Sequence, residues 1–239
     1  MRRLFAIFVL AAAVGSAFAV APDTPDYRRL DEKAGRFFSN REWLNATAIY
    51  TLMLAQNTDD ASLYSADIVS RLHVGDSIQA VAMLQTAMDH GVVLEDLLGG
   101  IDSLACRTGN ATLYRDYLLQ ARTAYPWLTR TLNGYLLRYY DFRDDAPQII
   151  RYAQIMLTGS PENLGYRQTL ARGYLLDNQT EPAIAELRAI LAADADNLQA
   201  LLTLGNLYLA LDNRGAALPL LRRAVALAPS PYLTALLRQ

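Results

Sequence analysis

Apolar and polar positions follow a helical spacing along most of the chain, and near its end the spacing becomes regular. In "LLTLGNLYLALDNRGAALPLLRRAVALAP", residues 201–229, the small residues Gly205, Ala217 and Ala224 fall among Leu and Tyr. A step of 34 residues toward the N-terminus takes Gly205 to Ala171 and Ala217 to Ala183. The same step takes Tyr208 to Tyr174 and on to Tyr140, and Leu204 to Leu170 and Leu136. Pro229 is preceded by Pro161, 68 residues earlier, and Pro126 lies 35 before that. A fixed period of this length predicts stacked helical pairs, none of which can bury its apolar stripe alone.

The register divides the chain into units 27–60, 61–94, 95–128, 130–163, 164–197 and 198–231. In the first, Leu30, Ala34, Phe37, Ala46, Tyr50 and Met53 fit, with "NREW" as the turn into the second helix. In the second, Ala80, Leu84 and Ala87 fit, but Ile68 and Arg71 replace the small residue and the tyrosine. The third departs most, with Asp102 at the small position and Tyr114 at the alanine position. The turns "VGD", "TGN" and two "LDN" supply the Gly, Asn and Asp that stop one helix and start the next. No strand-like alternation of useful length interrupts them.

This pattern resembles the tetratricopeptide repeat. In the last unit the family's positions read Leu201, Leu204-Gly205, Tyr208, Ala217, Leu221, Ala224 and Pro229. The resemblance covers nearly all of residues 20–239. It implies an all-α, right-handed superhelical solenoid of about six antiparallel helix pairs. It also implies a concave face, lined by the first helix of each pair, that holds a peptide or partner protein. On that face Arg138, Arg172 and Asn206 share one register position, with Gln168 and Leu202 one turn earlier and Asp141 one step further along. Two readings of the arginines stand level. They clamp a carboxylate or acidic segment, or they pair with acids of neighbouring repeats. The family's carboxylate-clamp type uses Lys, Asn and Arg, and this chain has no lysine there.

The N-terminus adds a compartment. Arg2 and Arg3 precede the apolar run "LFAIFVLAAAVG", and Ala17-Phe18-Ala19 has the small-x-small form of a cleavage site. Residues 1–19 therefore read as a signal peptide, with Val20 the first mature residue and a periplasmic or secreted destination. The apolar run is short for a membrane span. "VAPDTPD" (20–26) follows as a leader, and "YLTALLRQ" (232–239) begins a further helix, either as a cap or as a self-association surface.

Composition narrows the chemistry. A net charge of −2 gives no basic field for nucleic acid, although Lys33 is the only lysine among many arginines. Cys106, the single cysteine, makes no internal disulfide and is expected to be buried and inert. His73 and His90 lie at helix C-termini, where the dipole favours them. Too few Cys and His are present for a zinc site, "LLGG" lacks the residues of a phosphate loop, and "DFRDD" (141–145) reads as a solvated turn rather than a calcium loop. The expectation is a non-catalytic scaffold without cofactor or metal, for envelope assembly or maintenance. The alternative is a module that orients a substrate such as a glycan strand for a separate enzyme.

Overall fold

The structure, a computed structural model, describes residues 25–56 and 58–229. The signal peptide read over 1–19, the leader up to residue 24 and the tail 232–239 lie outside them. Twelve α-helices fill the described residues, with no strand among them. They form six consecutive pairs: α1 Pro25–Ser39 and α2 Trp43–Leu54; α3 Ala61–His73 and α4 Ser77–Asp89; α5 Leu94–Arg107 and α6 Thr112–Ala124; α7 Thr129–Asp141 and α8 Ala146–Gly159; α9 Leu164–Leu176 and α10 Thr180–Ala193; α11 Leu198–Ala210 and α12 Arg214–Leu227. These are the units that the 34-residue period sets out. The pairs gather into two compact units, one up to Pro126 and one from Trp127 onward.

The period is written in the backbone as well as in the side chains. The turn inside each pair carries one left-handed residue: Arg41, Gly75, Gly109, Asp144, Asn178 and Asp212. In every turn the next amide N–H reaches back over the helix end. It donates to the carbonyl of Phe37, Arg71, Ala105, Tyr140, Tyr174 or Tyr208 in turn, at 2.8–3.2 Å. This closure satisfies a carbonyl that a helix end leaves open. The following helix is then capped by a side chain in several pairs. Asp76, Asp145 and Asn213 accept from the amides of Gln79, Gln148 and Ala216. The same job is done between pairs by Asp60, Asn163 and Asn197.

Small residues set the crossings. Ala46, Ala80, Ala183 and Ala217, all at one register position, are completely buried. Gly205 lies where α11 meets α12: a Cβ there would stand 2.7 Å from a methyl of Leu221. Gly173 faces Ile149 of α8 in the same way, at 2.8 Å. From α7 to α12 each helix packs on the next, and the last two pairs share a core of Ala171, Leu187, Ile190, Leu204, Tyr208 and Leu221.

The N-terminal unit departs from this at its third pair. Helix α5 packs chiefly on α3, and α6 on α4, while α5 and α6 meet over a shorter stretch than the partners of any other pair. Tyr114, at the alanine position, is buried. Close packing moves instead to Gly100, where an added Cβ would lie 2.9 Å from the Cβ of Ser65. The Ser65 hydroxyl lies 3.0 Å from the Leu97 carbonyl across that crossing and 2.7 Å from Ala61's in its own helix. Asp102, placed at the small position by the period, is half-buried and off the crossing. Leu97, Leu98, Ile101 and Ala105 form the inner face. That face also corrects the expectation for Cys106. One residue past Ala105, it falls outside the face and is exposed.

Candidate functional site: the first-helix wall of the C-terminal unit

Helices α7, α9 and α11 put one i, i+4, i+7 face side by side: Thr131, Tyr135 and Arg138; Gly165, Thr169 and Arg172; Gln199, Thr203 and Asn206. Two clefts open between them. The α7–α9 cleft, about 550 Å³, is lined by Arg130, Tyr135, Arg138, Asn163, Tyr166 and Thr169, with Leu137 and Met156 as its aliphatic side chains. The α9–α11 cleft, about 380 Å³, is lined by Gln168, Thr169, Arg172, Gln199 and Thr203 over Ala171 and Leu187. Asp141, Gly165 and Thr169 belong to both, so the two clefts form one trough across three helices.

The residues marked from the sequence divide within this trough. Arg138 is exposed in the first cleft, 5.6 Å from the centre of the Tyr135 ring. Gln168 is half-buried in the second. Arg172 also lines the second cleft, but its charge is met from the preceding pair. One nitrogen bonds the carboxylate of Asp141 and, at 3.1 Å, its carbonyl; the other bonds Asp144. Asp141 is thus an anchor for Arg172 rather than a separate rung. Asn206 is exposed and Leu202 half-buried against the core of the last pairs, and neither is among the residues lining the two clefts.

The "DFRDD" turn is therefore more than a solvated loop. Asp141 and Asp144 hold Arg172 of the next pair, and Asp145 caps α8. Arg143 lies flat against Tyr139, its guanidinium carbon 3.6 Å from the ring centre. Elsewhere α9 is tied to α10 by Arg167 and Glu186 at 2.9 Å.

Sequence reasoning missed Tyr135, Tyr166 and Arg130. Tyr135 was legible: it lies three residues before Arg138, on the same helical face. Arg130 and Tyr166 sit at the edge of the ladder's face, and only the cleft shows that they converge. Arg130 donates to the Gly159 carbonyl at 3.0 Å and to the Ser160 hydroxyl.

The two histidines serve the N-terminal unit. The ring of His73 stacks on Trp43, with centroids 4.1 Å apart, and its Nε2 lies 3.0 Å from the Thr108 hydroxyl. Burial, with Arg41 nearby, pushes its pKa below the ordinary value. It is thus held as a neutral ring, not as the cation that a helix dipole would favour. His90 caps α4 and bonds the Tyr64 hydroxyl. A buried pair joins α3 to its neighbours: Arg71 donates to Asp67 at 2.7 Å and to the Thr51 hydroxyl at 2.8 Å. Burial raises the Asp67 pKa, and the Arg71 bond opposes that rise. Among the described residues no cluster of His, Cys, Asp and Glu could hold a metal ion, and no helix is long and apolar enough to cross a membrane.

No family model and no curated protein matches the chain. Several solved structures are similar to it. One is the C-terminal part of a TPR repeat-containing protein from Cytophaga hutchinsonii, at 14% identity over 81% of this chain and 77% of that one, with a TM-score of 0.49. Another is MamA (MSR-1), at 17% identity over 70% and 95%, also with a TM-score of 0.49. YrrB, described as a TPR protein with an unusual peptide-binding site, is 16% identical over 86% and 88%, with a TM-score of 0.35.

Proposed function

We propose that the chain is a non-catalytic scaffold that captures a partner protein or peptide along the first-helix wall of its C-terminal unit. The observation that carries this reading is the trough itself, which runs from α7 to α11 without a break and is lined by polar side chains above an apolar floor. Such a surface suits an extended ligand, because each successive pair offers the same face at the same height. The N-terminal segment supports export, so the proposed place of action is the periplasm or cell envelope, in assembly or maintenance.

The wall is tested by filling it. Thr169 belongs to both clefts and is half-buried, so Thr169→Trp blocks the trough where they join. Affinity capture from envelope extract with wild type and variant, with circular dichroism as the folding control, should show partners lost by a folded variant. Unchanged capture places the binding face elsewhere. Mass spectrometry of the exported protein should find Val20 at the N-terminus; a retained apolar segment sinks the export reading.

A further inference from the structure

We propose that the α7–α9 cleft takes an acidic saccharide, a sugar or short strand bearing carboxylates. This rests on the reading of the first-helix wall as the binding face and names a ligand class for one end of it. The cleft, about 550 Å³, falls within the roughly 300–1,000 Å³ of small-molecule sites. Its lining is the wrong chemistry for the aliphatic anchors of a partner helix. Leu137 and Met156 are its only large aliphatic side chains, and the rest are two glycines, rings, hydroxyls, an amide, the cations Arg130 and Arg138, and one carboxylate, Asp141, which is paired with Arg172.

Tyr135 and Tyr166 are half-buried there. The electron-rich face of such a ring attracts polarised C–H groups, which line the flat side of a pyranose. Thr131, Thr169 and Asn163 stand around them as partners for hydroxyls. The charge of the ligand follows from Arg130. Arg172 and Arg167 each face a carboxylate of this chain. Arg130 does not: its bonds go to the neutral Gly159 carbonyl and Ser160 hydroxyl, and among the described residues it forms no ion pair. A guanidinium has five donors in a fixed fork, so donors and a whole positive charge remain at the cleft for an incoming carboxylate.

Isothermal titration of the mature chain with tetra-galacturonate, neutral maltotetraose and a glutamate-rich peptide separates the possibilities. The expected result is saturable binding of tetra-galacturonate that weakens with salt and is at least tenfold tighter than that of maltotetraose. Arg130→Gln should weaken it tenfold or more without loss of helicity, since Arg130 is exposed. Tyr166→Ala should weaken tetra-galacturonate and maltotetraose alike. Absence of saturable tetra-galacturonate binding, or binding equal in Arg130→Gln, overturns the proposal. If the acidic peptide binds and the saccharide does not, the saccharide falls while the wall reading stands. If Thr169→Trp leaves partner capture intact as well, both fall.

Discussion

In the C-terminal unit each helix from α7 to α12 packs on the next, and in its last two pairs Gly173, Ala183, Gly205 and Ala217 occupy the crossings. In the N-terminal unit the third pair is stacked differently: α5 lies on α3, α6 on α4, and a buried tyrosine holds the register position where alanine stands in four other pairs. Both units keep the same period and the same left-handed turn. The period therefore governs chain reversal, which depends on the backbone at six turns. It does not govern how closely two helices approach, which depends on the bulk at each crossing. The regular unit leaves open clefts between its first helices. In the irregular one the corresponding helices α3 and α5 are in close contact through Ser65 and Gly100.

The sharpest way to break this comparison is Tyr114→Ala. It restores the residue found at the same place in Ala46, Ala80, Ala183 and Ala217. If the third pair is built around the ring, the change leaves a cavity and costs about 3–5 kcal/mol, read by urea denaturation. A neutral or stabilising result shows that the alanine spacing is available to this pair and that the ring is not its wedge.

A second contrast sets the two glycine crossings against each other. Gly205→Leu should cost about 1–3 kcal/mol or more by overpacking against Leu221. Gly205→Ala should be near neutral. The gain in helix propensity, roughly 1 kcal/mol, offsets a shift of Leu221 toward the arrangement that Leu187 adopts beside Ala171. Gly100→Ala should not be neutral. Its added methyl meets Ser65, which is held by its proximity to the carbonyls of Ala61 and Leu97. Equal melting temperatures for the two alanine variants defeat the claim that the crossings differ.

The sequence and structure agree most where the signal is backbone chemistry. The pair boundaries, the turns and Gly205 at a helix crossing were all legible, because Gly, Asn and Asp mark helix ends and a small residue marks a crossing. The wall was legible only in part. The 34-residue step finds Arg138 and Arg172 as equivalents, but not that Arg172 is spent on Asp141 and Asp144, since the partners come from a turn whose acids look solvated. The exposure of Cys106 was legible but missed: Ala105 stands in α5 where Tyr208 stands in α11, and the residue after it falls outside the buried face.

The N-terminal unit should also respond to acid through His73. Its native pKa is lowered by burial and by Arg41, so the unfolded chain takes up the proton first as pH falls. The stability tied to the neutral ring is complete above about pH 6.5, the ordinary histidine value. It is lost as pH drops through the lowered native pKa. The melting temperature should therefore hold above about pH 6.5 and fall as the pH is lowered below it, and His73→Gln should reduce that fall while lowering the starting value by removing the Trp43 stack. Protection from hydrogen exchange in α2, α3 and α5 should follow the same course. An identical pH slope in the variant assigns the acid response to other groups.

The smallest effect lies in the turns. Inside its pairs the N-terminal unit uses glycine at two of three left-handed turn positions, Gly75 and Gly109, whereas the C-terminal unit uses Asp144, Asn178 and Asp212. An aspartate pays a steric cost in that region that glycine avoids, so Asp212→Gly should stabilise by about 0.5–1 kcal/mol. Asp144→Gly relieves the same backbone cost but removes one of the two carboxylates on Arg172. Both partners of that pair are largely exposed, so its loss is worth only about 0–1 kcal/mol, and the net change should lie near zero. A double-mutant cycle with Arg172→Gln isolates the difference: in that background Asp144→Gly should become as favourable as Asp212→Gly. If Asp144→Gly is just as favourable with Arg172 intact, the Asp144 arm of the clamp between the fourth and fifth pairs contributes nothing to stability. The aspartate at that turn would then be no different from the one at Asp212.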